Sequence, residues 1–209
     1  MPEFHGDAVI LSGETGTRLK CQIIGEYYKL WWEITSGGPG KAHVFPTSLV
    51  EMNAGTGEDY IEETNETILG SAGHALELKL NHPHTANLKV VLVEDDLECS
   101  RRLRNVIRRK WPQLLYDETP VGLNKSGVFL FNKKPADVLP SIGVLELGNA
   151  LFFFDPLLYT PRTEIETLAR NRLKTYYQTG TEFIVFLFTS DWFVGRGQLS
   201  PLPDTVDEK

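Results

Sequence analysis

The chain of 209 residues reads as an α/β protein, a doubly wound and mainly parallel sheet with helices on both faces. Three observations predict this. Apolar strand-like runs alternate with amphipathic helical stretches along the sequence, without an internal repeat. The runs are almost wholly apolar, as Val90-Val91-Leu92-Val93 is, which suits strands buried on both faces. Three of them end on an acid: Leu49-Val50-Glu51, Val91-Leu92-Val93-Glu94 and Phe152-Phe153-Phe154-Asp155. The carboxyl ends of the strands bound the ligand crevice in such sheets, so the pattern delivers acids to one rim.

The elements follow in order. Residues 1–15 mix Gly, Ser and charge and read as a poorly ordered lead-in. From Thr17 to Thr35, Leu19, Ile23, Tyr27, Leu30, Trp31 and Ile34 fall at helical spacing. Ser36-Gly37-Gly38-Pro39-Gly40 stops that helix. The Tyr27-Tyr28 and Trp31-Trp32 pairs read as core packing rather than as a stacking platform. A strand at 47–53 leads into the glycine turn Gly55-Thr56-Gly57, and 58–69 reads as loop or short ribbon. Gly70-Ser71-Ala72-Gly73 opens a helical stretch from His74 to Leu80, followed by a strand at 89–94. Asp96 is the expected N-cap of a helix from Leu97 to Trp111, which Pro112 closes. Residues 113–126 look irregular. A strand at 127–132, a short helix near 135–141 and a strand at 150–155 come next. Thr163 to Tyr177 is amphipathic, with Ile165, Leu168, Leu173 and Tyr176 inward, and 182–189 is the fifth strand. Residues 1–45 thus form an N-terminal segment with one helix, and 46–209 a cofactor-binding domain.

Composition narrows the function classes. Hydrophobic content of 41% with 23% charged residues is ordinary for a soluble globular protein. A formal charge of −7 argues against indiscriminate binding to a polyanion. The helix 97–111 carries Arg101, Arg102, Arg104, Arg108 and Arg109 on one face, either a nucleic-acid surface or a solvated face beside an acidic body. Cys21 and Cys99 give no disulfide framework and no metal spacing, and His74, His82 and His84 read as surface residues. No signal peptide and no membrane span is legible, so a cytoplasmic protein without membrane attachment is expected.

The glycine turn alone fits several cofactors, and charge separates them. A dinucleotide fingerprint wants a third glycine where Tyr60 stands, and a phosphate loop wants Gly-Lys-Ser/Thr where Gly57 is followed by Glu58-Asp59. Two acids directly after the turn repel a pyrophosphate. They suit S-adenosylmethionine, which carries an ammonium and a sulfonium and no phosphate. Glu51 would face its cationic end, Glu94 its ribose diol, and Gly55 and Gly57 would let its methionine part approach the backbone. Asn132 is either an adenine contact or a turn residue, and Ser71 either lines the cofactor or caps the helix after it.

Glu51-Met52-Asn53-Ala54-Gly55-Thr56-Gly57, Gly70-Ser71-Ala72, Val93-Glu94 and Phe154-Asp155-Pro156 together resemble the three-Cys-motif partner proteins, of the Rossmann-like class I S-adenosylmethionine-dependent methyltransferase superfold. The likeness runs from the helix at Lys20–Trp32 to Asp191-Trp192. Glu51 stands where that family has an aspartate, Asn53-Ala54 replaces Phe-Ala, and Gly55 and Gly57 match. Ala72 replaces the proline of Gly-Ser-Pro, Asp155-Pro156 matches, and Leu157-Leu158 replaces Phe-Gly. The resemblance implies a fold that continues past the fifth strand by two more strands and a helical region, whereas this chain ends soon after that strand.

The resemblance also implies methyl transfer to an acceptor of unknown identity, a nucleic-acid base among the candidates, with a protein partner. Asp155 and Pro156 would stand at the acceptor, Asp155 orienting the nucleophile or taking its proton. Tyr159 sits one residue later than the amine-methylating signature of related enzymes requires. Trp192, in Ser190-Asp191-Trp192, shapes the acceptor pocket or covers the core edge. The alternative is a binding or regulatory module that keeps the fold without turnover. A nicotinamide-dependent oxidoreductase is the remote third.

Overall fold

The computed structural model describes residues 2–11, 14–36, 46–82, 85–118, 127–143, 147–156, 161–175 and 180–186. Five strands form one parallel sheet: β3 (Thr47–Glu51), β6 (Leu88–Val93), β7 (Val128–Phe131), β8 (Asn149–Phe154) and β9 (Thr181–Val185), in the order β7-β6-β3-β8-β9. Four short strands form a second sheet, β1 (Phe4–His5), β2 (Ala8–Leu11), β4 (Glu58–Ile61) and β5 (Glu66–Leu69), in the order β1-β2-β4-β5. Among the described residues the helices are α1 (Glu14–Thr35), α2 (Ser71–Asn81), α3 (Leu97–Lys110), α4 (Pro135–Gly143) and α5 (Arg162–Thr175), with a 3₁₀ turn at Thr85–Asn87.

The parallel sheet is built from residues that suit a surface buried on both sides. Every position of β3 and β7 is buried. Register places Phe129, Val91, Val50, Phe152 and Phe183 in one row across all five strands. That row faces α4 and α5, whose Val138, Leu139, Ile142 and Leu168 complete one apolar cluster. The next row, Leu130, Leu92, Glu51, Phe153 and Ile184, faces the opposite layer, where α1, α2 and α3 supply Tyr28, Trp32, Leu76, Leu103 and Val106. Alternate residues of a strand point to opposite faces, so one sheet feeds two cores. Glu51 is the single acid in an otherwise apolar row.

The expected strands and helices 2 to 5 are found within a few residues of their predicted limits. Asp96 caps α3 as expected, accepting from Cys99 N at 2.8 Å. The segment 58–69 takes the ribbon form, β4 pairing antiparallel with β5.

Three expectations are corrected. The first residues are not a loose lead-in, because β2 pairs in parallel with β4 and helix α1 begins at Glu14. The buried stripe of α1 is Cys21, Ile24, Tyr28, Trp31 and Trp32, whereas Leu19, Ile23, Tyr27, Leu30 and Ile34 are exposed, Ile34 at 79%. Both stripes have helical spacing, and packing against Phe153 and α2 selects the one carrying the larger rings. His74 is half-buried rather than on the surface, its ring lying against Gly25 of α1, and burial lowers its pKa.

Among the described residues no helix is long and apolar enough to cross a membrane. The expectations for Gly37–Gly40, His84, residues 119–126, Leu157-Leu158, Tyr159, Tyr176, residues 187–189 and Ser190-Asp191-Trp192 lie outside the described residues, as does the side chain of Leu173.

Candidate functional site

Because all five strands run the same way, their carboxyl ends meet at one rim of the sheet. Strand order reverses between β3 and β8, the position at which sheets of this kind form their ligand crevice. Glu51, Asn53 and the glycine turn leave β3, Glu94 leaves β6, Asn132 leaves β7, and Asp155-Pro156 leaves β8. The sequence-predicted residues therefore do converge on one rim, Ser71 joining them at the first residue of α2.

The glycine turn is shaped by its two left-handed residues, Gly55 at φ +59° and Gly57 at φ +78°. A Cβ on Gly55 would meet nothing within 4 Å, so backbone is presented there to open space. The Gly57 carbonyl serves close packing instead: its oxygen accepts from Gly70 N at 3.1 Å. A Cβ on Gly73 would stand 2.3 Å from that same oxygen. Gly73→Ala is therefore expected to push α2 off the turn and cost about 1–3 kcal/mol, seen as a lower urea midpoint. An unchanged midpoint would refute the close approach.

Glu94 is buried, and its carboxylate clamps this turn. Oε2 accepts from Gly55 N at 2.7 Å and Oε1 from Asp96 N at 2.9 Å. Burial raises its pKa, and the two backbone donors oppose the rise. Each oxygen keeps one further lone-pair site, enough to accept from a hydroxyl. Asn132 spends its amide nitrogen on the carbonyls of Glu94, at 2.8 Å, and Asp95, at 3.3 Å, so it ties the ends of β6 and β7 together. Only its oxygen remains for an adenine contact.

Two expected roles change. Glu51 is 0% exposed, and its oxygens accept from the Tyr28 hydroxyl and from Ser71 Oγ at 2.9 Å. It is enclosed by these two hydroxyls rather than open to a cationic ligand. Burial among Leu92, Phe153 and Tyr28 pushes its pKa up to about 8, more than the two hydrogen bonds pull it down. Ser71 does not cap α2, because Gly70 holds the N-cap position without a side-chain bond and the Ser71 hydroxyl goes to Glu51.

The unpaired acceptors lie further along the two segments leaving β3 and β8. Two residues beyond the paired Glu51 and Phe153, the adjacent chains reach Asn53 and Asp155. Asn53 Oδ1 and Asp155 Oδ1 are both buried without a hydrogen-bond partner. Asp155 Oδ2 is held by Lys20 Nζ of α1 at 2.5 Å. Asp59 of β4 completes the acidic surroundings, its pKa pushed up to about 6 by burial, with Cys21 Sγ 3.5 Å from its Oδ2. Sequence reasoning missed Lys20, Cys21, Tyr28 and Asp59, since three of them arrive on α1, whose inward stripe was misassigned. The tyrosine pair at 27–28 was the available signal: a hydroxyl on a buried ring demands a partner.

The crevice thus offers acceptor oxygens and little donor capacity, so it fits a ligand that brings N–H groups or positive charge. Among the described residues no group of three or more His, Cys, Asp and Glu side chains is placed to hold a metal ion. A separate cavity of ≈ 410 Å³ lies between the small sheet and the end of α3, where Glu58 is already paired with Arg109 and Lys110. The arginine face of α3 is likewise occupied by the protein's own acids: Arg101 and Arg102 on Glu98 and Arg104 on Glu118. That favours the solvated-face reading over a nucleic-acid surface. No known family model matches the chain, and no curated protein matches it.

Proposed function

We propose that the chain is a Rossmann-like S-adenosylmethionine-binding protein that transfers the methyl group to an acceptor held at Asp155-Pro156. The observation that carries this reading is the pair of orphaned acceptor oxygens, Asn53 Oδ1 and Asp155 Oδ1, at the reversal of strand order. A buried acceptor without a donor is costly, and a ligand with an ammonium, or an acceptor with an N–H, relieves that cost. A phosphate would add acceptors where acceptors already stand unpaired. Gly55 supports the same reading by leaving backbone uncovered, and Glu94 by keeping lone pairs for a ribose diol.

Methyl transfer asks little covalent chemistry of the protein. Bound S-adenosylmethionine would supply the methyl group: the acceptor nitrogen's lone pair would bond to its carbon as the carbon–sulfur pair returns to sulfur, and the proton lost from the N–H would pass to Asp155 or to solvent. Holding acceptor and methyl in line supplies most of the acceleration. A nucleic-acid base or a protein side chain with an N–H fits the acceptor side. The second reading, a partner-binding module without turnover, draws on the ion pair between Lys20 and Asp155, which occupies one oxygen of the acceptor-side acid.

Calorimetric titration with S-adenosylmethionine tests the cofactor. Incubation with methyl-labelled cofactor and a pool of RNA, DNA and protein then separates the two readings. Label transfer that vanishes in Asp155→Ala supports the transferase. Cofactor binding without transfer to any acceptor supports the module, and no binding removes both.

A further inference from the structure

Helix α1 closes one side of the crevice through three contacts on a single face. Tyr28 reaches Glu51, Cys21 reaches Asp59, and Lys20 reaches Asp155. Three acids from three elements thus face one helix, and the charge of Lys20 acts on Glu51 and Asp59 as well as on Asp155. Its ammonium also lies 5.9 Å above the ring of Phe186. The side chain is 20% exposed, so a short swing about its flexible stem returns the ammonium to water.

We propose that Lys20 is a tethered competitor for the cationic tail of the ligand, occupying Oδ2 of Asp155 until an incoming ammonium or sulfonium displaces it, while Oδ1 stays with the methyl acceptor. This rests on the adenosyl-ligand reading above. Removing a cation from a buried acid leaves that acid uncompensated, which is strongly unfavourable. Exchanging one cation for another avoids that state. Lys20 therefore leaves only when the ligand brings a replacement charge, and the ligand's affinity is lowered by the contest. A ligand with the adenosine part alone makes no demand on Asp155 and escapes the contest.

Calorimetry with adenosine and with S-adenosylmethionine tests this on the wild type, Lys20→Met and Lys20→Arg. The expected result is S-adenosylmethionine binding roughly tenfold tighter to Lys20→Met, the scale of a typical coupling between sites, with adenosine unchanged. Lys20→Arg, whose planar fork can engage both carboxylate oxygens, should bind S-adenosylmethionine more weakly than wild type. If Lys20→Met fails to fold, Lys20→Gln removes the charge while keeping a donor and is read in the same way. Equal or weaker S-adenosylmethionine binding in the uncharged variant, with adenosine bound as in wild type, overturns the competitor alone. Failure of both ligands to bind any of the proteins overturns the adenosyl reading and the competitor with it.

Discussion

Wild-type protein should lose stability steadily as pH is raised from about 5 to about 8.5, and Glu51→Gln should lose far less. The folded carboxyl of Glu51 keeps its proton up to about pH 8, whereas in the unfolded chain it ionises near 4.5. Between those values the folded state binds more protons, so unfolding becomes easier as pH rises. The contribution is fully present below 4.5 and gone above about 8, where the buried group must ionise. Three and a half pH units at about 1.4 kcal/mol each give an effect on the order of 5 kcal/mol. Asp59 acts in the same direction, but only between 3.8 and about 6. His74, whose pKa burial holds below 6.5, opposes this loss at the acid end of the range, so the interval from about pH 6.5 to 8 belongs to Glu51. Glutamine retains an oxygen for Tyr28 or Ser71 and has no charge to bury, so the variant should be the more stable protein at pH 8.5. Urea midpoints across the range decide it, and parallel curves for the two proteins between pH 6 and 8 would sink the assignment.

The sheet was legible because its strands are buried on both faces. Val90-Val91-Leu92-Val93 and Leu151-Phe152-Phe153-Phe154 have no polar alternation to confuse with a surface strand, and each is too short to be a helix of ordinary length. The first helix was legible as a helix and illegible as to its face. Its doublet Tyr27-Tyr28 puts a ring on each of two stripes, and Trp31 fits both, so spacing could not choose between them. The choice is made by tertiary contacts: the Tyr28 hydroxyl finds Glu51, while Tyr27 reaches only Glu182 at the edge strand, at 2.8 Å. The N-terminal strands were missed because Phe4–His5 and Ala8–Leu11 are too short to show a period, and a partner at Asp59–Ile61 stabilises them.

The site divides along the same line. Residues at strand ends were found, since topology alone carries them to one rim: Glu51, Asn53, Gly55, Gly57, Glu94, Asn132, Asp155 and Pro156 all lie there. Their individual duties were not readable. Whether an acid is open or enclosed depends on what packs over it, and Glu51 is enclosed by a tyrosine 23 positions earlier in the chain. Lys20 and Asp155 are 135 positions apart, so no local spacing announces their ion pair.

Glu94→Ala should abolish most of the binding of S-adenosylmethionine and of adenosine alike, by about a hundredfold or more. Two losses act together. The carboxylate that would accept from the ribose hydroxyls is removed, and the N–H groups of Gly55 and Asp96 lose the acceptor that fixes the turn. Each orphaned donor costs about 1–3 kcal/mol unless water reaches it, so the turn should also loosen in the free protein. Glu94→Gln separates the two contributions poorly for a physical reason. One oxygen becomes an NH₂ group that must point at either the Gly55 or the Asp96 N–H, two donors facing one another. Glutamine is therefore expected to behave almost as badly as alanine, unlike a site where only charge matters. Adenosine is the informative ligand, because it carries the ribose and lacks the cationic tail that Lys20 and Asp155 govern. Unchanged adenosine affinity in Glu94→Ala would dissociate the clamp from ribose recognition and leave Glu94 as a purely structural brace between β6 and the glycine turn.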